Sequence, residues 1–172
     1  MLTVAGVFEP LIGKWAWQVK RGYGSFLTME FGNPHLEVRE PRPVSADASR
    51  QVRDNFRRRR VTIVGDWHLW IQYCDWKVTT SNQSISSVET DNPYMVDECL
   101  AELDGQVLSS VESQGRDPAT VFRFDLGGMI QVSSSPDQLE GHLWTLYRHK
   151  IGSFALTPDG QLHQEKGDPP EP

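Results

Sequence analysis

Cysteine is scarce in this 172-residue chain: only Cys74 and Cys99 occur, and no Cys-x-x-Cys pair exists. Two thiols do not make a disulfide framework. A chain this long can bury roughly 70% of the surface its unfolded form exposes, so it needs none. No stretch approaches ~18 consecutive apolar residues, so no spanning helix is expected and no membrane partner. The opening MLTVAGVFEPLIGKW has neither a basic leader region nor a small-residue cleavage site, and a cytoplasmic location is expected. His-Glu-x-x-His and acidic loops of calcium-binding spacing are also missing. RGYGSF (21–26) carries two glycines of a dinucleotide loop, yet it precedes a strand rather than opening a helix, and reads as a turn. No metal or cofactor is expected.

What is present is uneven charge. The net charge is −6, but residues 39–60 hold eight Arg against Glu40, Asp47 and Asp54, a local +5 beside −11 for the remainder. Arg57, Arg58, Arg59 and Arg60 form the densest run. Four guanidiniums can fork onto phosphate or onto an acidic protein. The plainer expectation is a solvated run paired with the acidic rest of the chain, and the overall negative charge makes nucleic acid an unlikely partner.

The chain reads as one α+β domain over residues 1–165, predominantly antiparallel β, with seven to nine strands and a disordered tail at 166–172. LIGKWAWQV…FLTMEFGNPHLEVREP (11–41) can be laid over LDGQVLSSV…VFRFDLGGMIQVSSSP (103–136), a possible internal repeat around an insertion at 42–102. In this alignment Leu27, Met29 and Phe31 match Phe122, Phe124 and Leu126, all expected to point inward. TDNPYMVDECLAEL predicts a helix near 92–102, with Asp91 or Asn92 as cap, Pro93 in the first turn and Asp104-Gly105 at its end. A short helix is expected near 136–142, and a loop or short helix near 45–57 with Ser45 as a cap. Pro158-Asp159-Gly160 marks a hairpin.

GDWHLWIQYCDW (65–76) is the densest stretch, with three Trp, a His, a Cys and two Asp. Alternation puts Val61, Ile63, Trp67, Leu69, Ile71 and Tyr73 on a core face, and Asp66, His68, Trp70, Gln72 and Cys74 on the other, with Gly65-Asp66 as a turn or bulge. His68 and Cys74 lie about 20 Å apart along a strand, too far for a nucleophile–base pair. Asp66 and His68 are close enough to pair. His142 and His149 would share one helix face about 10 Å apart, too far to hold one ion.

GSFLTMEFGNPHLEVREP (24–41) and VTIVGDWHLWIQYCDWKV (61–78) resemble a group of small uncharacterised bacterial proteins. Their recurring phrases take the form FLT-x-EFG-x-PHL-x-I-REP and G-(E/D)-WHLWI-x-x-C-x-W. FRFDLGG and LWTLY share the likeness more loosely. The resemblance implies no particular activity. The architecture is also similar to the small β-rich immunity proteins encoded beside bacterial toxins, by analogy of fold alone. Three readings follow. The first is a non-enzymatic binding or regulatory protein, the immunity type among the kinds expected, with a protein partner. The second is a ligand-binding protein or enzyme with a site around Asp66, His68, Trp70 and Gln72. The third is an anionic-partner contact through Arg57–Arg60.

Overall fold

Period-two alternation settles the central strands. In the computed structural model, which describes residues 2–89, 92–114, 119–137 and 140–167, strand β2 (Leu27–Phe31) pairs with β5 (Trp67–Ile71). Leu27, Met29 and Phe31 lie opposite Ile71, Leu69 and Trp67, and all six are buried. Strand β11 (Trp144–Arg148) extends these rows with Trp144 and Leu146. With β1 (Ala16–Arg21), β12 (Gly152–Leu156) and β13 (Leu162–Lys166) they form a six-stranded sheet, ordered β1-β2-β5-β11-β12-β13.

A second sheet, ordered β7-β6-β10-β9-β8, uses β6 (Asp75–Thr79), β7 (Ser84–Ser86), β8 (Leu108–Gln114), β9 (Ala119–Phe124) and β10 (Met129–Ser133). The two sheets share one hydrophobic core. Trp144 Nε1 donates to Thr120 Oγ1 across it at 2.9 Å. Phe8, in α1 (Val4–Phe8), sets its ring edge-on to both Phe122 and Trp144. Helix α3 (Pro93–Leu103) buries Val96, Cys99, Leu100 and Leu103, a stripe at helical spacing. Asn92 Oδ1 caps it by accepting from the Tyr94 N–H, and Gly105 lies just beyond its end at φ +90°.

Two strands stand apart. β3 (His35–Arg39) and β4 (Arg60–Val64) pair only with each other, and α2 (Arg50–Phe56) joins them. The fold is therefore α+β and β-rich, with thirteen strands in three sheets and three α-helices among the described residues.

The two similar segments meet head to head. Trp15 bridges Val107, 92 positions away, and Gly13 N–H donates to the Leu108 carbonyl while Gly105 N–H donates to that of Ala16. The other two bonds, Leu108 to Lys14 and Ala16 to Gln106, are reciprocal in the same way. These four bonds obey a local pseudo-two-fold. Gly13 and Gly105 share a positive φ (85° and 90°), as do Gly32 and Gly127 (81° and 88°). Beyond that the segments diverge: β10 stays beside β9, whereas β3 leaves β2 and β5 takes its place.

Several expectations need correction. The strand count exceeds seven to nine because long β-rich runs are cut into pieces of three to seven residues. The run 61–73 breaks at Gly65-Asp66, so Val61, Ile63 and Tyr73 are exposed while Trp67, Leu69 and Ile71 are buried. Leu126 sits in the turn after β9 and is 69% exposed, unlike its counterpart Phe31. No helix occupies the described part of 136–142. Pro136 and Asp137 form a turn, residues 138–139 lie outside the described residues, and Leu143 already bonds Leu156 and Gln72 through its main chain. His142 and His149 thus flank a strand rather than sharing a helix face. Helix α2 takes Ser49 as its cap, while Ser45 Oγ accepts from the Asp47 N–H in the preceding turn. Lys166 ends β13, and residues 168–172 of the expected tail, like the alternative cap Asp91, lie outside the described residues.

Leu69 is fully buried at the centre of the six-stranded sheet. Leu69→Ala is expected to lower unfolding free energy by about 2–5 kcal/mol through lost contacts and a cavity. Urea denaturation followed by tryptophan fluorescence measures the change.

Candidate functional site

The face of the six-stranded sheet opposite the core carries a polar and aromatic row. Register places Glu30 of β2 opposite His68 of β5, and His68 opposite Tyr147 of β11. One pleat along, Thr28, Trp70 and Thr145 form the parallel row. The β3–β4 ribbon overhangs these rows with Glu37, Thr62 and Val64. Between ribbon and sheet lies a cleft of about 480 Å³, within the size range of small-ligand sites.

Glu30 is the chemical centre of this cleft. It is buried, and both carboxyl oxygens are engaged: Oε2 accepts the Gly65 N–H at 2.8 Å, and Oε1 lies 2.5 Å from His68 Nδ1. That pattern assigns the imidazole proton to Nδ1 and leaves Nε2 as the open nitrogen. No hydrogen bond joins Nε2 to any described residue. Trp70 and Tyr147 pack edge-on at 5.4 Å beside this imidazole. Burial pushes the Tyr147 phenol above its ordinary range, and the negative charge of Glu165 adds to it, against a hydrogen bond with Thr145. Trp70 Nε1 is buried and has no hydrogen-bond acceptor among the described residues. A buried donor left unpaired in this way is uncommon and costly.

Asp66 belongs elsewhere. The expected Asp66–His68 pair does not form; Asp66 Oδ1 lies 2.7 Å from His35 Nε2, and its Oδ2 accepts the Asn33 N–H at 2.7 Å. The reason is the turn at Gly65-Asp66, which sends consecutive side chains to different sides. The His35 bond and then the Asn33 N–H hold the Asp66 carboxyl below its usual range. His35 stacks on His149 with centroids 4.9 Å apart and rings 11° from parallel. These residues line a second cleft of about 470 Å³ with Lys14, Trp67 and Arg148, whose guanidinium sits over the Trp67 ring. His149 contributes to the walls of both clefts.

The other candidate residues fall outside both clefts. Gln72 is buried and donates to Thr145 Oγ1, so it serves the sheet. Cys74 Sγ donates to the Leu143 carbonyl inside the core. Arg59 grips Glu40 with three bonds at 2.8–3.0 Å, while the Arg57, Arg58 and Arg60 side chains have no carboxylate partner among the described residues. Among the described residues, no group of three or more His, Cys, Asp or Glu is placed to hold a metal ion, and no helix is long and apolar enough to cross a membrane. Glu30 and Tyr147 had no separate signal in the sequence; each is a single polar or aromatic residue in an alternating strand.

No family model, curated protein or solved structure matches the chain. The site is therefore read from its own geometry.

Two measurements check this description. Burial pushes the Cys74 thiol up to about 12, helped by Asp75, and that of Cys99 up to about 11, helped by Glu102. At neutral pH fewer than about one in a thousand of either is thiolate, so iodoacetamide should label neither until denaturant is added. Asp66 has a depressed carboxyl, so its contribution to stability is present above the ordinary carboxylate range and fades as pH falls through its lowered value. Asp66→Asn should flatten this acid limb: wild type should lose more stability than the variant between about pH 4 and pH 2.

Proposed function

We propose that the protein binds a small, largely apolar molecule in the cleft between the β3–β4 ribbon and the β2–β5–β11 face. The single observation that carries this reading is Trp70, which walls a ligand-sized cleft and keeps its indole N–H buried without an acceptor among the described residues. A ligand oxygen would satisfy that donor. The neighbouring His68 Nε2 would take a ligand hydroxyl or N–H, and Glu30 would hold the imidazole in the tautomer that allows it. Val64, Trp70 and Tyr147 would supply apolar wall around the ligand body. The sequence-based site around Asp66, His68 and Trp70 is thereby narrowed to His68 and Trp70, with Glu30 in the place given to Asp66.

A second reading is proton transfer. A carboxylate-oriented imidazole with an open Nε2 is the arrangement of a general base, and the Glu30–His68 pair favours it. The two readings part on turnover: a binding protein returns the molecule unchanged.

The dye 1-anilinonaphthalene-8-sulfonate tests the site, since it joins an apolar body to sulfonate acceptors. Saturable binding at one site per chain is expected, with affinity reduced about tenfold or more by Trp70→Ala and by His68→Ala. About 1.4 kcal/mol corresponds to each tenfold step. Absence of saturable binding, or binding that both variants keep while circular dichroism is unchanged, would remove the proposal.

A further inference from the structure

The segment from Gly32 to Asp66 contributes no side chain to the hydrophobic core. Its ribbon pairs with neither large sheet, and α2 buries no residue. The ribbon has two distinct faces. Glu37, Thr62 and Val64 look toward the ligand cleft. On the opposite face Leu36 pairs with Ile63 and Val38 with Val61, and these four are 71, 48, 51 and 56% exposed. Two adjoining cross-strand pairs of aliphatic side chains make an apolar patch, on a ribbon whose outer edges are both unpaired. Contiguous exposed apolar surface of this kind marks interaction sites.

Charge narrows the choice of occupant. The ribbon and its helix lie within the stretch of local charge +5, with Arg57, Arg58 and Arg60 directly before and within β4. The chain also holds the complement. Residues 78–115 carry seven Asp and Glu and no Lys, Arg or His. Helix α3 lies in that stretch and presents Tyr94, Met95 and Glu98 on one exposed face, at i, i+1 and i+4. Tyr94 is 78% exposed, and Val88 before the helix 73%. One surface is apolar and basic, the other apolar and acidic.

We propose that the β3–β4 ribbon is a docking arm for a second copy of the chain, its apolar face lying on the exposed face of the copy's α3. Arm against arm would bring like charges together, whereas arm against α3 brings opposite charges together around an apolar centre. Mutual exchange gives a two-fold dimer with two equivalent contacts, which doubles the area toward the ~1,200 Å² that stable interfaces bury. This inference does not depend on the ligand cleft.

Analytical ultracentrifugation of the full chain over about 1–200 μM, at low and at physiological salt, is the test. A monomer–dimer equilibrium weakened by salt is expected. The double variant Val38→Ser, Val61→Ser and the triple variant Arg57→Glu, Arg58→Glu, Arg60→Glu should each weaken it about tenfold or more, with circular dichroism unchanged. Glu98→Arg, on an exposed helix position, should weaken it as well. Mixing Glu98→Arg with the triple arginine variant should restore a mixed dimer. Wild type that stays monomeric at the highest concentration and lowest salt overturns the proposal, and so does a dimer indifferent to all three variants. A monomeric chain that binds a labelled oligonucleotide, and loses it in the triple variant, overturns it in favour of nucleic acid.

Discussion

The close approach of Gly65 to β2 is the constraint on which the rest of the site depends. A Cβ there would lie 2.5 Å from the Phe31 carbonyl oxygen and 3.0 Å from its nitrogen, nearer than side-chain atoms come to backbone. Only glycine lets the chain pass so near β2 as it leaves the ribbon and enters the sheet. That passage brings the Gly65 N–H onto Glu30. The next residue, Asp66, turns the other way to Asn33 and His35, and its carbonyl accepts the His149 N–H at 3.0 Å. One main-chain position thus orients Glu30, separates the two clefts and directs the ribbon outward.

Glu30 is an expensive residue to place there. Burying a carboxyl is unfavourable unless its oxygens are bonded, and both of these are. Leucine or methionine at this position would avoid the desolvation cost but would leave the buried Gly65 N–H without its acceptor. What the carboxyl does supply is a fixed imidazole. The aromatic neighbours add to this, since Trp70 meets the His68 ring edge-on and Tyr147 lies tilted beside it, and together they restrict its rotation. A side chain so constrained by packing and by a carboxyl has the rigidity expected of a binding group.

Where the sequence was legible, a local period governed the outcome. Leu27, Met29 and Phe31, and likewise Trp67, Leu69 and Ile71, alternate over a single uninterrupted strand, and their burial follows. Asn92-Pro93 and Asp104-Gly105 mark helix ends by chemistry that acts over one turn. Val61 and Ile63 share the phase of Trp67, yet they are exposed, because the chain changes sheets at Gly65 and the phase carries no information across that break. The Glu30–His68 pair was not legible for a related reason. Its two members sit 38 positions apart, and only the register of β2 on β5 brings them together. Asp66 was the nearer acid in sequence and the farther one in role. Arg59 found its carboxylate in Glu40, within the basic segment itself, whereas Arg57, Arg58 and Arg60 have none among the described residues.

The head-to-head meeting of Trp15 with Val107 sets the order in which the chain can fold. The hairpins β1–β2 and β8–β9 close over short loops and can form early. The four bonds that join them must close a loop of 92 residues, and the sheet beneath the cleft is completed only when β11 inserts between β5 and β12. Until then β5 has an open edge, carrying Trp67, Leu69 and Ile71 on the side that later becomes core. Long-range pairing of this kind makes folding slow relative to helical domains of the same size. An unpaired β5 edge bearing aromatic and aliphatic side chains is the kind of surface through which incompletely folded chains associate.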